Sequence, residues 1–428
     1  MRKSCFVVGL LLTVFLSLTI IENANAIPTF ARKYRTSCTT CHIGFNRLNP
    51  FGSAYRLNGY QIPQGQETVY VKEEPVSLGA PAWKRVWPDG VWPGMMPQAI
   101  PLSMMVHQRL IWNESARTRD VPEVDFDFPH EWELFVGGDL GDMISFFGEF
   151  VLYEDGKVEG VQRIFAQFND LLTGPFDFLP EDALNLKVGK FDIAADPFHS
   201  ATRRTLNKYL PSDYTVGDAS FSLRNLQKGF EANGIINSRW RYALGLVDSA
   251  GDDNSSSEKD RYWRLAYKFG GMAFDGKNED LEEELKQTNN WVDNSLTVGT
   301  FGYVGKEAIS GATNDFTRLG GDVHLQWKNL DLSAAWVFGD DDDPGGTGTG
   351  VNSRGWFTQA EYVFYPWLIG SFRYESLDYT DATNDVTKLV PSIAIYARAN
   401  VRIILEGAIY PDGEDGSNSV LADLAILF

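Results

Sequence analysis

The feature of this sequence that most constrains its fold is a regular alternation of apolar and polar residues beyond residue 98. Residues 261–269 place aromatic and aliphatic side chains on one face and Arg264 and Lys268 on the other, and residues 316–327 repeat the pattern around Asp322. This period of two predicts β-strands with two chemically different faces. A soluble β-sandwich would show the same alternation. Segments of about ten residues, aromatic residues at their ends and ionisable groups on the second face instead favour an outer-membrane β-barrel.

Counting these segments predicts an all-β, antiparallel barrel of sixteen strands, an even number as expected of bacterial outer-membrane proteins. The last segment alternates up to the terminal Phe428, an ending typical of outer-membrane proteins. The predicted strands lie near 102–112, 131–139, 143–154, 160–170, 182–191, 220–232, 238–247, 261–269, 291–304, 316–327, 330–338, 355–364, 366–376, 387–398, 401–410 and 420–428.

The connections between the predicted strands alternate in length, which orients the barrel. Such barrels usually have short periplasmic turns and longer extracellular loops. The connection at 270–290 is an exception, because it is long and acidic on the predicted periplasmic side. Short turns are predicted at 234–237, 328–329, 365 and 399–400, and long polar loops at 248–260, 305–315, 339–354, 377–386 and 411–419.

The N-terminus of the sequence predicts export. Two basic residues precede an apolar stretch at 6–21, and residues 24–26 read Ala-Asn-Ala, as at a signal-peptidase cleavage site. The apolar stretch is shorter than the ~20 residues of a membrane-spanning helix. The sequence therefore predicts a signal peptide over residues 1–26 and a mature chain that begins near Ile27.

The sequence Cys-Thr-Thr-Cys-His at residues 38–42 predicts covalent attachment of one c-type haem. Two thiols at this spacing, Cys38 and Cys41, add to the haem vinyl groups, and the histidine that follows, His42, supplies an axial ligand to the iron. The third cysteine, Cys5, lies in the predicted leader, and the sequence has no second CxxC to complete a zinc site. The alternative interpretation is an ordinary disulfide of an exported protein.

The chain divides into a predicted haem segment at 27–65, a linker or plug rich in proline, glycine and tryptophan at 66–98, and the barrel at 99–428. Within the haem segment, Pro50 predicts the first turn of a short helix that ends at Gly59. A segment of fewer than ~40 residues cannot enclose a haem and build a core alone. Because a sixteen-stranded barrel has a wide polar lumen, we expect the lumen to complete the haem segment.

The net charge of −19 argues against nucleic-acid binding. Part of this charge lies in the aspartates at 252–253 and 340–343, in connections predicted to face the exterior. Carboxylate oxygens there suit hard divalent cations. We favour the simpler interpretation that they belong to solvated loops. No general base or nucleophile stands out in the sequence, and electron transfer requires neither.

The residues Pro-Thr-Phe-Ala-Arg at 28–32, the CxxCH motif and a remainder of porin length together resemble the fused monohaem cytochrome–porins of iron-oxidising bacteria. The resemblance implies one covalent haem c, attached through Cys38 and Cys41 with His42 as proximal ligand. It also implies an outer-membrane protein that passes electrons from an extracellular donor, Fe(II) in that family, to a periplasmic cytochrome, and hence an Fe(II) oxidase activity. Many members continue with Gln-Thr-Gly, where this chain has Lys-Tyr-Arg at 33–35.

The sequence leaves the distal haem ligand open. Met95 and Met96 are candidates, as are Met105 and His107 on the first strand and His324, which the strand pattern directs into the lumen. Methionine would raise the reduction potential and histidine would lower it. An open or water-occupied position is a further option.

Two other functions also fit these observations. One is a general diffusion porin with an appended haem segment. The other is a soluble periplasmic cytochrome with a β-rich binding domain. The porin would conduct ions through the membrane, whereas the soluble protein would not remain with the membrane after fractionation.

Overall fold

In the structure, a computed structural model, sixteen antiparallel strands form one closed barrel, as predicted. The signal peptide, most of the predicted linker and the aspartates at 252–253 lie outside the described residues. The described residues are 29–63, 65–72, 76–77, 95–96, 101–114, 122–141, 143–154, 156–172, 180–199, 202–248, 259–277, 289–309, 311–380, 385–411 and 418–428. The strands are β1 (Leu102–Asn113), β2 (Val124–Asp139), β3 (Ile144–Glu154), β4 (Gly160–Phe168), β5 (Asn185–Phe191), β6 (Gln227–Ile236), β7 (Trp240–Asp248), β8 (Lys259–Gly270), β9 (Ser295–Ile309), β10 (Ala312–Trp327), β11 (Leu330–Asp341), β12 (Val351–Tyr365), β13 (Leu368–Tyr379), β14 (Val386–Arg398), β15 (Val401–Ala408) and β16 (Ser419–Leu427).

The barrel closes through the pairing of its last strand with its first. Residues of β16 face those of β1 from the Ser419–Asn113 pair to the Leu427–Met105 pair. The terminal Phe428 extends this ladder, because its backbone N–H donates to the Met104 carbonyl at 2.9 Å. Closure leaves no strand edge unpaired. Because the number of strands is even, the start of β1 and the end of β16 lie on the same side of the membrane. The rule of short periplasmic turns assigns this side to the periplasm.

The predicted long loop at 305–315 is wrong, because β9 runs to Ile309 and pairs there with Ala312, the first residue of β10. The polar residues that suggested a loop point into the lumen: Glu307 and Asn314 face each other and are both buried. In a membrane barrel, a polar residue can belong either to a loop or to the lumenal face of a strand.

The barrel wall is apolar outside and charged inside. On β8, Trp263 and Leu265 are 38% and 40% exposed, whereas Arg264 between them is 5% exposed. Arg264 donates two hydrogen bonds, of 2.8 and 3.0 Å, to Asp322 of β10. A closed sheet with an apolar outer face is stable in lipid and not in water. The protein is therefore an outer-membrane β-barrel, and the alternative of a soluble periplasmic cytochrome is wrong.

Two segments fill the lumen. The first, the N-terminal segment of residues 29–72, contains α1 (Thr29–Tyr34), a 3₁₀ helix (Cys38–Thr40), α2 (Pro50–Leu57) and α3 (Glu67–Tyr70). The second, which we call the lumen loop, comprises the described residues of 192–226 between β5 and β6. Because the lumen loop includes residues 220–226, β6 begins at Gln227 rather than at the predicted 220. No helix in the described part of the chain is long and apolar enough to span a membrane.

The remaining described strands lie between the N-terminal segment and β1, where Val76–Ser77 pairs with Met95–Met96 in a separate two-stranded sheet. The backbone of the two candidate methionines is thus in an antiparallel ladder.

Candidate functional site

The Cys-Thr-Thr-Cys-His sequence forms a single tight turn. The backbone N–H groups of Cys41 and His42 donate to the Cys38 carbonyl at 3.2 and 3.0 Å. In a 3₁₀ turn, residues three apart lie on the same side, so both cysteine side chains share one face. Both are free thiols rather than a disulfide, and both are partly exposed. The turn therefore presents two thiols together, as thioether attachment of a haem requires.

The imidazole of His42 is oriented by the backbone. Its Nδ1 lies 3.2 Å from the Asn46 carbonyl oxygen, which only accepts hydrogen bonds, so Nδ1 carries the proton. Burial lowers the pKa of His42 to about 4, which keeps the ring neutral. Metal-binding histidines generally donate one ring N–H to such an acceptor and bind the metal with the other nitrogen. The residues present thus fit a haem whose iron is bound by His42 Nε2.

Helix α2 packs directly against this turn, and the predicted start and stop of the helix are confirmed. Asn49 caps it by accepting from the Gly52 N–H at 2.7 Å, and Gly59 lies beyond its end at φ +63°. The Asn49 backbone N–H also donates to the Cys41 carbonyl at 2.9 Å. A Cβ at Gly52 would lie 2.0 Å from that carbonyl oxygen. Only glycine at this position permits the close approach.

Arginine side chains join the N-terminal segment to the barrel wall. Arg47 Nη1 donates to Glu361 Oε1 of β12 at 2.8 Å. Arg204 of the lumen loop donates to Glu361 Oε2 at 2.9 Å and to the Ile43 carbonyl at 2.7 Å. One buried wall carboxylate therefore holds both segments that fill the lumen.

The exceptional connection between β8 and β9 supports the site from the periplasmic end. Asn290 donates to the His42 carbonyl at 2.9 Å. A Cβ at Gly276, whose φ is +70°, would lie 2.7 Å from the Pro63 ring. The described residues of this connection thus contact the N-terminal segment. These contacts account for the length of the connection, although the other periplasmic turns are short.

Aromatic rings continue from the N-terminal segment into the wall. Phe30 stacks on Tyr60 with ring centroids 5.3 Å apart, and Tyr60 stacks on Phe147 of β3 at 5.4 Å. Phe147 in turn contacts Phe165 of β4 at 6.0 Å. The barrel therefore supplies the apolar partner surface that the short segment lacks.

Lys33 and Tyr34 tie α1 to α3 within the N-terminal segment. Lys33 forms an ion pair with Glu67 of α3, and the Tyr34 hydroxyl donates to the same carboxylate at 2.9 Å. Glu67 Oε2 also accepts from the Ile62 N–H at 2.7 Å. The N-terminal segment consequently includes α3, beyond the predicted linker boundary at residue 65.

Of the predicted distal ligands, His324 and Met105 both touch the N-terminal segment. His324 Nε2 lies 2.8 Å from Asp331 Oδ1 and 3.2 Å from Arg47 Nη2, so this nitrogen already has partners. Met105 packs in one cluster with Phe45. The side chains of Met95 and Met96 lie outside the described part of the structure.

The remaining candidate, His107, is buried in the wall. Its Nδ1 lies 3.1 Å from Asp423 Oδ1 of β16. The prediction that His107 points into the lumen together with Met105 is consistent with the burial of both side chains.

His199 of the lumen loop is a further inward-facing histidine that sequence reasoning missed. Its ring nitrogens lie 2.9 and 3.0 Å from Arg56 Nη1 of α2, and burial holds its pKa well below the ordinary value, so the ring is neutral. His199 and Leu57 line a cavity between α2, the lumen loop and the wall. No periodicity in the loop sequence signals that the residue turns inward.

The acidic run at 340–343 is only partly the solvated loop that the sequence predicts. Asp340 and Asp342 are exposed, but Asp341 is fully buried and accepts from Arg318 at 2.8 Å. Asp343 accepts from the backbone N–H groups of residues 347 and 348, each at 2.7 Å. The alternation of side chains along the strand places Asp341 on the lumenal face, where its carboxylate pairs with Arg318.

Comparison with solved structures identifies the barrel as porin-like. An anion-selective porin from Comamonas acidovorans aligns over 76% of this chain and 98% of its own, with 11% identity and a TM-score of 0.53. The outer membrane channel DcaP of Acinetobacter baumannii aligns over 76% of this chain and 96% of its own, with 8% identity and a TM-score of 0.52. No protein-family model and no curated protein matches the sequence. At these identities the likeness establishes the fold alone.

Proposed function

We propose that this protein is an outer-membrane electron conduit in which one haem c is bound through Cys38 and Cys41, with His42 as proximal ligand. The observation that carries the proposal is the hydrogen bond from His42 Nδ1 to the Asn46 carbonyl, in a CxxCH turn enclosed by a transmembrane barrel. This arrangement directs Nε2 to a metal and isolates the site from lipid. When bound, the haem supplies a one-electron redox couple.

The protein's own residues position and insulate that site. Asn46 fixes the tautomer of His42, and Asn290 holds the turn from the periplasmic connection. Arg47 and Arg204 both pair with Glu361, and Arg47 also pairs with Asp331, so together they hold the N-terminal segment against the wall and the lumen loop. Because these contacts hold the segment in place, the distance from the redox centre to each end of the barrel stays constant.

The proposed direction of transfer rests on the position of the segment and on the family resemblance. The N-terminal segment contacts periplasmic connections, so a periplasmic cytochrome is the proposed acceptor. The lumen loop extends from the extracellular end and reaches α2 through His199 and Arg56. The proposed donor is extracellular, with Fe(II) as the donor that the resemblance suggests.

The test compares the wild-type protein with Cys38→Ser/Cys41→Ser in sealed liposomes. We expect the wild type to keep its Soret absorbance after acid-acetone extraction and to reduce an enclosed dye when a membrane-impermeant reductant is added outside. The double variant should lose both signals, whereas Thr39→Ser, within the same turn, should retain both. Covalent haem in the double variant, or transfer by it at the wild-type rate, would refute the proposal.

A diffusion porin with an appended haem segment is the second candidate. The cavity beside α2, lined by Lys187 and Arg241 among others, favours it. Planar-bilayer conductance separates the two functions. A conduit filled by the N-terminal segment and the lumen loop should conduct far less than an open porin, and porin-like conductance with haem present would favour the second candidate.

A further inference from the structure

Three potential metal ligands converge on the inner wall, away from the CxxCH turn. His107 of β1 and Glu131 and Glu133 of β2 each offer a ligand atom within 4.8 Å of the other two. His107 lies directly opposite Glu131 in the β1–β2 ladder. Glu131 and Glu133 are two residues apart on one strand, so they share its lumenal face.

One oxygen of these carboxylates is buried without a hydrogen-bond partner in the described part of the chain. Glu133 is 7% exposed, and its Oε2 has no hydrogen-bond partner among the residues that the structure describes. The nearby Arg163 is already bound by Glu149 and Asp192. A buried carboxylate anion without a partner is strongly unfavourable, and either a proton or a bound cation compensates it. The ligand atoms of His107, Glu131 and Glu133 lie close enough together to surround such a cation.

The histidine is arranged as metal-binding histidines usually are. His107 Nδ1 lies 3.1 and 3.2 Å from the two oxygens of Asp423, which leaves Nε2 for another ligand. A carboxylate behind the imidazole fixes the ring and raises the basicity of the free nitrogen. Asp423 is itself held by Arg402 at 3.4 Å and Arg109 at 3.5 Å.

We infer that His107, Glu131 and Glu133 bind a divalent transition-metal ion in the barrel wall. Two carboxylates offset the charge of the ion, and mixed oxygen and imidazole ligands suit Mn(II), Fe(II) or Zn(II). A calcium or magnesium site would be built from oxygen ligands. The ligands all come from β1 and β2, so the site does not depend on haem attachment.

The metal site is joined to the CxxCH turn by hydrogen bonds and one step of backbone. Asp423, which contacts His107, accepts from Arg402, and Arg402 Nη1 donates to the Phe45 carbonyl at 3.2 Å. The next residue, Asn46, accepts from His42 Nδ1. An ion bound by His107 thus acts on the same network that orients His42.

The experiment titrates the full-length protein in detergent with Mn(II) and follows the loss of the free-ion signal by electron paramagnetic resonance. We expect one equivalent to bind the wild type, Zn(II) to displace it, and Mg(II) to compete only at much higher concentration. Glu133→Gln should weaken binding by at least about tenfold. The matched control is Glu149→Gln, a buried carboxylate of β3 that already pairs with Arg163, and its affinity should stay close to wild type.

A second variant, His107→Gln, guards against misfolding of Glu133→Gln, and heat-modifiable gel mobility verifies that each variant has a closed barrel. Wild type that does not bind Mn(II) or Zn(II), or folded Glu133→Gln and His107→Gln proteins with wild-type affinity, would overturn the inference. Equal losses in the control and in Glu133→Gln would also overturn it. The result is independent of electron transfer, because metal binding is measured whether or not haem is attached.

Discussion

The two segments inside the lumen are held by the same wall but built in different ways. The N-terminal segment has helices of its own, with Asn49 capping α2 and Glu67 connecting α1 to α3. The described residues of the lumen loop contain no α-helix or barrel strand. The loop is instead fixed by wall carboxylates: Glu406, Glu375 and Glu307 accept from its backbone N–H groups at 2.9, 3.0 and 2.8 Å.

The comparison shows two ways to satisfy buried backbone groups. A helix pairs its N–H and C=O groups within its own segment, so the wall needs only to anchor side chains and a few end groups. An irregular loop requires acceptors from elsewhere, and the strand period of the barrel supplies glutamates at the necessary points. Glu361 is shared, because it receives Arg47 from one segment and Arg204 from the other.

The largest effect is expected for Glu361→Gln. Removing this charge takes from buried Arg204 the carboxylate it pairs with and leaves Arg47 with Asp331 alone, which should destabilise the packing of both segments by about 3–5 kcal/mol. Hydrogen–deuterium exchange should rise together in peptides from the N-terminal segment and the lumen loop. Asp340→Asn, at an exposed carboxylate, is the control and should change neither. Faster exchange in only one segment would show that Glu361 is not a shared anchor.

Glu307→Gln should affect the lumen loop and leave the N-terminal segment unchanged. Its carboxylate accepts from the Ser220 N–H at 2.8 Å and the Phe221 N–H at 3.3 Å, and it forms no hydrogen bond or ion pair with the described residues of 29–72. Loss of hydrogen bonds to a charged acceptor should loosen the end of the lumen loop by about 1.5–3 kcal/mol. Exchange should increase near residue 220 while the N-terminal segment stays protected. An equal increase in both would mean that the two segments unfold as one unit.

Gly44→Ala tests how closely the CxxCH region approaches the wall. Gly44 has φ +76°, and a Cβ there would lie 2.1 Å from the ring of Tyr396. We expect a loss of about 1–3 kcal/mol in the packing of the N-terminal segment, because the new methyl group displaces the ring. Gly65→Ala is the matched control, with φ +65° and no atom within 4 Å of the added Cβ. Similar proteolysis rates for the two variants would argue against the tight contact.

The smallest effect is expected for Asn290→Ala. It removes a 2.9 Å hydrogen bond to the His42 carbonyl, worth about 1 kcal/mol, and leaves every contact of the lumen loop in place. Exchange should rise slightly in residues 38–46 and remain unchanged in the loop. The conservative variant Asn290→Asp retains an acceptor but loses the amide donor, so it should not restore protection. Protection equal to wild type in Asn290→Ala would show that the periplasmic connection does not support the site.

Much of the fold could be predicted from local pattern. The alternation around Arg264 and Asp322 indicated which side chains face the lumen, because side chains in a strand alternate strictly between two environments, and counting such segments gave the number of strands. The same rule misled at 305–315, where Glu307 looks like a loop residue unless the lumen is recognised as a polar interior. The CxxCH spacing likewise indicated a compact turn and the helix that follows it.

The sequence by itself determined the barrel, the facing of its strands and the helical turn that joins Cys38, Cys41 and His42, because each depends on residues close in the chain. Only the tertiary structure decided which distant groups meet. Glu361 bridges Arg47 and Arg204, and the lumen loop brings His199 to α2, across separations of 143 residues or more. Such contacts depend on barrel closure and on the path of an irregular loop. Neither leaves a local periodicity, so no reading of neighbouring residues could have found them.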